Sequence, residues 1–235
     1  MARRAGLRFT ERMHGVVACG SSDDPYANAG GLGWQPFEFT LDARIPDVSS
    51  FLRDEQHPIE LPRGVVRSGH FGACRVTGGE INLMVPGEIE VERLMGYRVC
   101  FTTSDGTELT LLGFKDVEGD RLRMWYDTTR VFAEVYRGTL STHDERHDHP
   151  LVAVGVLEIP AITFLIQLTT FRATGGLGVK PAAAYVRFMV FFARSLIQPY
   201  LLGLVLRTKE DVHQAKPAPD VEELLREPGR LAESA

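Results

Sequence analysis

The chain has 235 residues, enough to bury a sizeable core, and its 44% apolar and 24% charged residues are an ordinary globular balance. A formal net charge of −5, with no Lys/Arg cluster interleaved with aromatics, argues against nucleic acid as a partner. Cys19, Cys74 and Cys100 are odd in number, far apart and in no Cys-x-x-Cys spacing, which reads as reduced thiols in a cytoplasmic protein.

The arginine pair at the start has no apolar run behind it, so no secretory leader is expected. From Leu7 to Leu157 the chain has the pattern of β-structure. Residues 7–19 and 34–45 carry apolar side chains at near-alternating positions. Further short runs follow at 63–69, 74–85, 95–103, 108–117, 121–138 and 151–159. Ser104-Asp105-Gly106 and Glu118-Gly119-Asp120 supply the positive φ angles of tight turns, and strands so joined are antiparallel neighbours. About eight strands in meander order predict an α+β domain built on an antiparallel β-barrel or a strongly curved meander sheet.

Two segments leave the β rhythm in the same way. In 43–55 and in 157–171 a strand runs into Ile-Pro and then into helical spacing, Val48 with Phe51 and Leu52, Ile162 with Leu165 and Ile166. Pro46 and Pro160 are expected at the first helical position, where no amide donor is needed. Residues 173–181, ATGGLGVKP, read as a glycine-rich hinge. They lack the Gly-Lys-Ser/Thr of a phosphate loop.

A long C-terminal helix is expected over about 182–206. Its length approaches that of a membrane span, but Arg187, Arg194 and Gln198 interrupt it, and two mid-span arginines would cost roughly 5–7 kcal/mol on insertion. The three polar residues fall within about 40° of one another on a helical wheel. That pattern predicts a helix docked on the core with one wet edge, with a peripheral membrane or oligomer contact as the alternative. The single domain is expected to end near 208, and 209–235, with Pro217, Pro219 and Pro228, to form a polar mobile tail.

Few residues announce chemistry. His143, His147 and His149 crowd one loop with Asp144 and Asp148, but no His-Glu-x-x-His is present and no dedicated metal site is expected. With no Gly-x-Ser-x-Gly elbow and no cysteine beside a histidine, neither a catalytic nucleophile nor a cofactor is expected.

Four segments carry a resemblance: LRFTERMHG at 7–15, LMGYRVCFTTSDGTELTLLGFKDV at 94–117, MWYDTTRVFAEVYRG at 124–138 and GVLEIPAITFLIQLTTFRATG at 155–175. In this order they resemble a β-rich module found beside flavin-dependent GMC-type oxidoreductases of the cholesterol oxidase kind, in large bacterial proteins. The chain itself has no Gly-x-Gly-x-x-Gly and no room for the flavin unit. The resemblance therefore implies a neighbourhood of sterol or lipid oxidation rather than an oxidase activity.

Within these segments Glu11, Tyr97, Lys115, Trp125, Asp127, Thr128 and Arg172 form the expected ligand-binding set, with Thr169 and Thr170 nearby. Lys115 and Asp127 stand on adjacent expected strands, either as an ion pair that fixes register or as groups orienting a ligand. Phe39, Phe101, Phe114, Trp125 and Phe132 are available to line an apolar cavity. Three readings follow. The first is a binding module for a hydrophobic small molecule, sterol- or lipid-like, working beside an oxidoreductase. The second is a scaffold that docks such an oxidoreductase through the Phe188–Phe192 helix face. The third is a steroid- or lipid-modifying enzyme with a carboxylate, Asp127 or Glu11, as acid/base.

Overall fold

The computed structural model describes residues 4–19, 33–86, 93–117, 130–141, 147–176 and 179–194. Strands β1 (Gly6–Cys19), β2 (Gln35–Ile45), β3 (Pro58–Ser68), β4 (Gly72–Pro86), β5 (Arg93–Thr102), β6 (Glu108–Val117), β7 (Arg130–Arg137) and β8 (Leu151–Glu158) lie in the sheet in chain order. Every neighbouring pair is antiparallel, and β8 returns to β1, so the eight strands close into a barrel. The barrel expected from the alternating runs is the architecture observed.

Period-2 patterning sets which side chains fill it. Along β2, Phe37, Phe39, Leu41, Ala43 and Ile45 are buried, while Glu38, Thr40, Asp42 and Arg44 point outward. The outward set is not idle. Asp42 lies opposite Arg63 of β3 and also meets Arg8 of β1; Glu38 likewise joins Arg67 and Arg12. Two carboxylates on β2 thus each tie three strands together across the outer wall. The β5–β6 turn uses Gly106 at φ 85°, a conformation that suits glycine and matches the expected Ser104-Asp105-Gly106 turn. The second expected turn, at 118–120, lies outside the described residues.

Among the described residues, three helices gather at the end of the barrel where β2 and β8 finish. Helix α1 (Val48–Phe51) is a single turn capped by the Asp47 carboxylate, which accepts from the Ser49 N–H at 2.9 Å. Helix α2 (Ala161–Leu168) follows Pro160, and α3 (Val179–Phe192) packs over both α1 and the start of the barrel. Neither Pro46 nor Pro160 stands at the first helical position as expected. Pro46 precedes the Asp47 cap, and Pro160 is itself the residue before the first turn, its ψ of 148° still extended. The proline that does sit inside a first turn is Pro181 of α3, where the amide would have no partner in any case.

Helix α3 begins three residues ahead of the expected 182, and the continuation expected to 206 lies outside the described residues, as does the 209–235 tail. It docks as the sequence predicts, with Pro181, Ala184, Phe188 and Phe192 buried. Phe188 stands 5.7 Å from both Phe51 and Phe171, and Phe191 meets Phe51 and His57 edge-on. A fully buried phenylalanine contributes about 1.5–3 kcal/mol, so this aromatic cluster is ample reason for α3 to stay down. The scaffold reading is corrected on this point: Phe188 and Phe192 belong to the core and are no docking face. Among the described residues no helix is long and apolar enough to cross a membrane.

One irregularity matters for the site. On the side away from β2, β1 pairs with the short strand β9 (Arg172–Thr174) at Gly6–Arg8 and with β8 at His14–Cys19. Between Arg8 and His14 no described strand adjoins it there. Helix α2 and the turn after it occupy that gap, and the Thr10 amide donates to Thr170 Oγ1 at 3.0 Å instead of to a ladder carbonyl.

Candidate functional site in the barrel lumen

Among the described residues, the buried side chains that face inward from the strands are apolar with one exception. Leu7, Phe9 and Met13 of β1 are buried, and Glu11 is buried among them. Alternation gives it no choice, because a residue two places from Phe9 and two from Met13 shares their face. A buried carboxylate must be hydrogen-bonded or paired to persist. Tyr97 of β5, 1% exposed, donates its phenol O–H to Glu11 Oε1 at 3.1 Å. Gln167 of α2 donates through Nε2 to Glu11 Oε2.

Small residues make room for the phenol. In the hydrogen-bonded row Tyr97 is followed by Gly113 on β6, Ala133 on β7 and Gly155 on β8. A Cβ on Gly113 would stand 2.6 Å from Val131 Cγ1 and 3.3 Å from Tyr97 Cβ. The missing side chain is therefore part of how the tyrosine is seated.

Glu11 and Tyr97, two of the expected ligand-binding residues, are thus brought together, and the third member, Gln167, was absent from the expected set. Its trace in the sequence is slight: one amide in a helix that is apolar apart from Thr163, three residues after Phe164. Gln167 is also the member with unused capacity. Its Oε1 is buried and accepts no hydrogen bond from the described residues.

The remaining expected residues divide. Arg172 is exposed on β9 and donates to the carbonyls of Thr169 and Phe171 at 2.8 and 3.0 Å, so it closes the turn after α2 and does not enter the lumen. The backbone of Lys115 lies on β6 opposite Met95. Trp125, Asp127 and Thr128 lie outside the described residues, and with them the expected Lys115–Asp127 pair. Of the aromatics expected to line a cavity, Phe39 and Phe101 face inward, whereas Phe132 is 43% exposed on the outer wall because Val131 and Ala133 take the inward positions of β7. In the histidine-rich loop His149 Nδ1 is engaged with the Arg137 carbonyl at 2.9 Å, and His143 lies outside the described residues.

Aromatic rings fill the half of the lumen away from the helices: Phe39 stands 6.3 Å from Tyr97, and Phe101 lies 6.5 Å from Phe37 and 6.3 Å from Phe71. An open depression of about 470 Å³ lies on the wall, beside His14, Phe37, Glu38, Arg67 and Gly69. Its charged groups, Glu38 and Arg67, already pair with each other, so it lacks the unsatisfied atom that distinguishes the lumen. Comparison with protein-family models, with curated proteins and with solved structures finds no match to this chain.

Proposed function

We propose that the barrel is a binding module for a hydrophobic small molecule that carries a hydroxyl group, sterol- or lipid-like, and that it acts alongside a flavin-dependent oxidoreductase. The observation that carries this reading is Gln167 Oε1, a buried acceptor without a donor, set beside Glu11 and Tyr97 in an apolar lumen. Leaving such an atom unpaired costs about 1–3 kcal/mol, and a ligand O–H aimed at it recovers the bond. An apolar interior with a few convergent polar groups is the usual chemistry of a small-molecule site.

The oxidoreductase partner rests on the resemblance of the four segments alone. An acid/base role for Glu11 is less well supported than an anchoring one, because both its oxygens already accept hydrogen bonds, from Tyr97 and Gln167.

Titration with a fluorescent sterol bearing a free 3-hydroxyl, and with its methyl ether, tests the reading. The free alcohol should bind one to one with a constant of about a micromolar, and the ether, which cannot donate, about tenfold more weakly. Gln167→Leu should erase that preference. Failure of sterols and fatty alcohols alike to bind would leave the scaffold reading in its place.

A further inference from the structure

Helices α2 and α3 bury one face each and expose another that is just as apolar. On α2, Ile162, Leu165 and Ile166 are 66%, 58% and 59% exposed. On α3, Val179, Val186 and Val190 are exposed and, at about 100° per residue, fall within about 40° of one another, opposite the buried Pro181, Ala184, Phe188 and Phe192. Lys180, Arg187 and Arg194, all exposed, form a second stripe roughly 60–100° round the same helix. The two helices adjoin, Phe164 stacking on Phe192 at 6.3 Å.

The charge of this part of the chain is one-sided. From Ile159 to Lys209 there is no aspartate or glutamate, while Arg172, Lys180, Arg187, Arg194, Arg207 and Lys209 are basic. All 31 acidic residues of a chain with net charge −5 lie elsewhere in the sequence, Asp47, Asp54 and Glu55 beside α1 among them.

We propose that the exposed face formed by α2 and α3 docks on an anionic lipid bilayer. Ile162, Leu165 and Ile166 of α2 and Val186 and Val190 of α3 enter the acyl boundary, and Lys180, Arg187 and Arg194 reach the headgroups. An aliphatic stripe flanked by long basic side chains is the pattern of a helix lying in the interface, and anionic headgroups supply the charge the segment lacks. A second copy of the chain supplies the opposite, since a symmetric contact would set one basic stripe against another. The inference stands apart from the ligand reading and does not depend on it.

Sedimentation of the full chain with vesicles tests it, using phosphatidylcholine alone and phosphatidylcholine with about a third phosphatidylglycerol. The bound fraction should be about tenfold higher on the anionic vesicles and should fall as salt is raised. The paired change Leu165→Asn with Ile166→Asn leaves the charge unaltered and should abolish binding; Arg187→Glu with Arg194→Glu should do the same by reversing the charge. Both pairs are exposed, so circular dichroism and melting should match the parent. Should either variant misfold, an environment-sensitive dye on Ile162→Cys gives a second readout, expected to shift to the blue on anionic vesicles only. Absence of binding to either composition, or equal binding to both, overturns the proposal. So does a concentration-dependent dimer that the Leu165→Asn, Ile166→Asn variant dissolves, which would assign the face to a second copy.

Discussion

Tyr97 and Glu11 meet across the barrel. Three strands separate β5 from β1 in either direction round the wall, yet the phenol O–H reaches the carboxylate at 3.1 Å. The bond therefore ties opposite walls together, a link that no ladder hydrogen bond can make. Removing it by Tyr97→Phe keeps the ring and its packing and takes away one donor to a buried carboxylate. The expected loss is about 2 kcal/mol in urea unfolding. A change under about half a kilocalorie would mean that the cross-lumen bond holds nothing.

Gly113 offers a second test of the same seat. An added methyl would press on Val131 Cγ1 at 2.6 Å and on the Tyr97 Cβ at 3.3 Å, within a wall that has little freedom to yield. Gly113→Ala should destabilise by about 1–3 kcal/mol, the usual cost of overpacking. An unchanged denaturation midpoint would show that the wall relaxes at no cost.

The outer ladder makes stability depend on pH. The Arg12 hydrogen bond leads in holding the Glu38 carboxyl below its usual range, assisted by Arg67 and opposed by partial burial. For Asp42, burial pushes upward, but hydrogen bonds and charges from Arg8 and Arg63 together outweigh it, and this carboxyl also lies low. A depressed folded-state pKa gives stability that is present above the unfolded value, about 4, and is lost as pH falls through the folded one. Melting temperature should therefore drop as pH is lowered from about 5 to about 2, and Arg8→Gln with Arg63→Gln should flatten the drop. The size of the effect is modest, because these pairs stand in contact with water. A variant curve parallel to the parent's would remove the ladder from the explanation.

Burial pushes the Cys19 thiol up to about 11, and burial followed by the Asp105 charge raises Cys74. Only the thiolate is a nucleophile, so at about pH 8 Cys19 should be alkylated on the order of a hundredfold more slowly than a free thiol. Mass spectrometry after timed iodoacetamide treatment reads this site by site. Rapid labelling of Cys19 in the folded protein would contradict its placement at the end of β1.

The strands were legible because alternation is a strong constraint: one slip of register would turn Phe37, Phe39 and Leu41 to water and Glu38 and Asp42 inward. Helix α2 shows where that logic ends. Ile162, Leu165 and Ile166 have regular helical spacing, but so do Phe164, Gln167 and Leu168, and it is the second set that packs against the barrel. In a helix so uniformly apolar, periodicity does not say which stripe is inside. Gln167 is hidden for the same reason: an amide is as compatible with a helix surface as with a core, and only the buried Glu11 gives it an inward partner. Glu11 and Tyr97 were found, but only as separate candidates. Their meeting depends on closure of the barrel, which no local pattern encodes. At Phe132 an aromatic has the composition of core, yet the phase of β7 turns it outward.

The gap in β1 between Arg8 and His14 changes what it takes to reach the lumen. In a fully laddered barrel, admitting a guest through the wall means breaking strand pairing, which is cooperative and slow. Here the stretch of wall beside Glu11 is a helix held by side chains, with one amide, Thr10, bonded to a threonine hydroxyl. Between Arg8 and His14 the contacts that close this side are the Gln167–Glu11 and Thr10–Thr170 hydrogen bonds and the packing of Phe164 and Leu168, not strand pairing. The Thr10 amide, held by a threonine hydroxyl in place of a ladder carbonyl, should therefore exchange with solvent faster than its laddered neighbours on β1, which native-state hydrogen exchange reads.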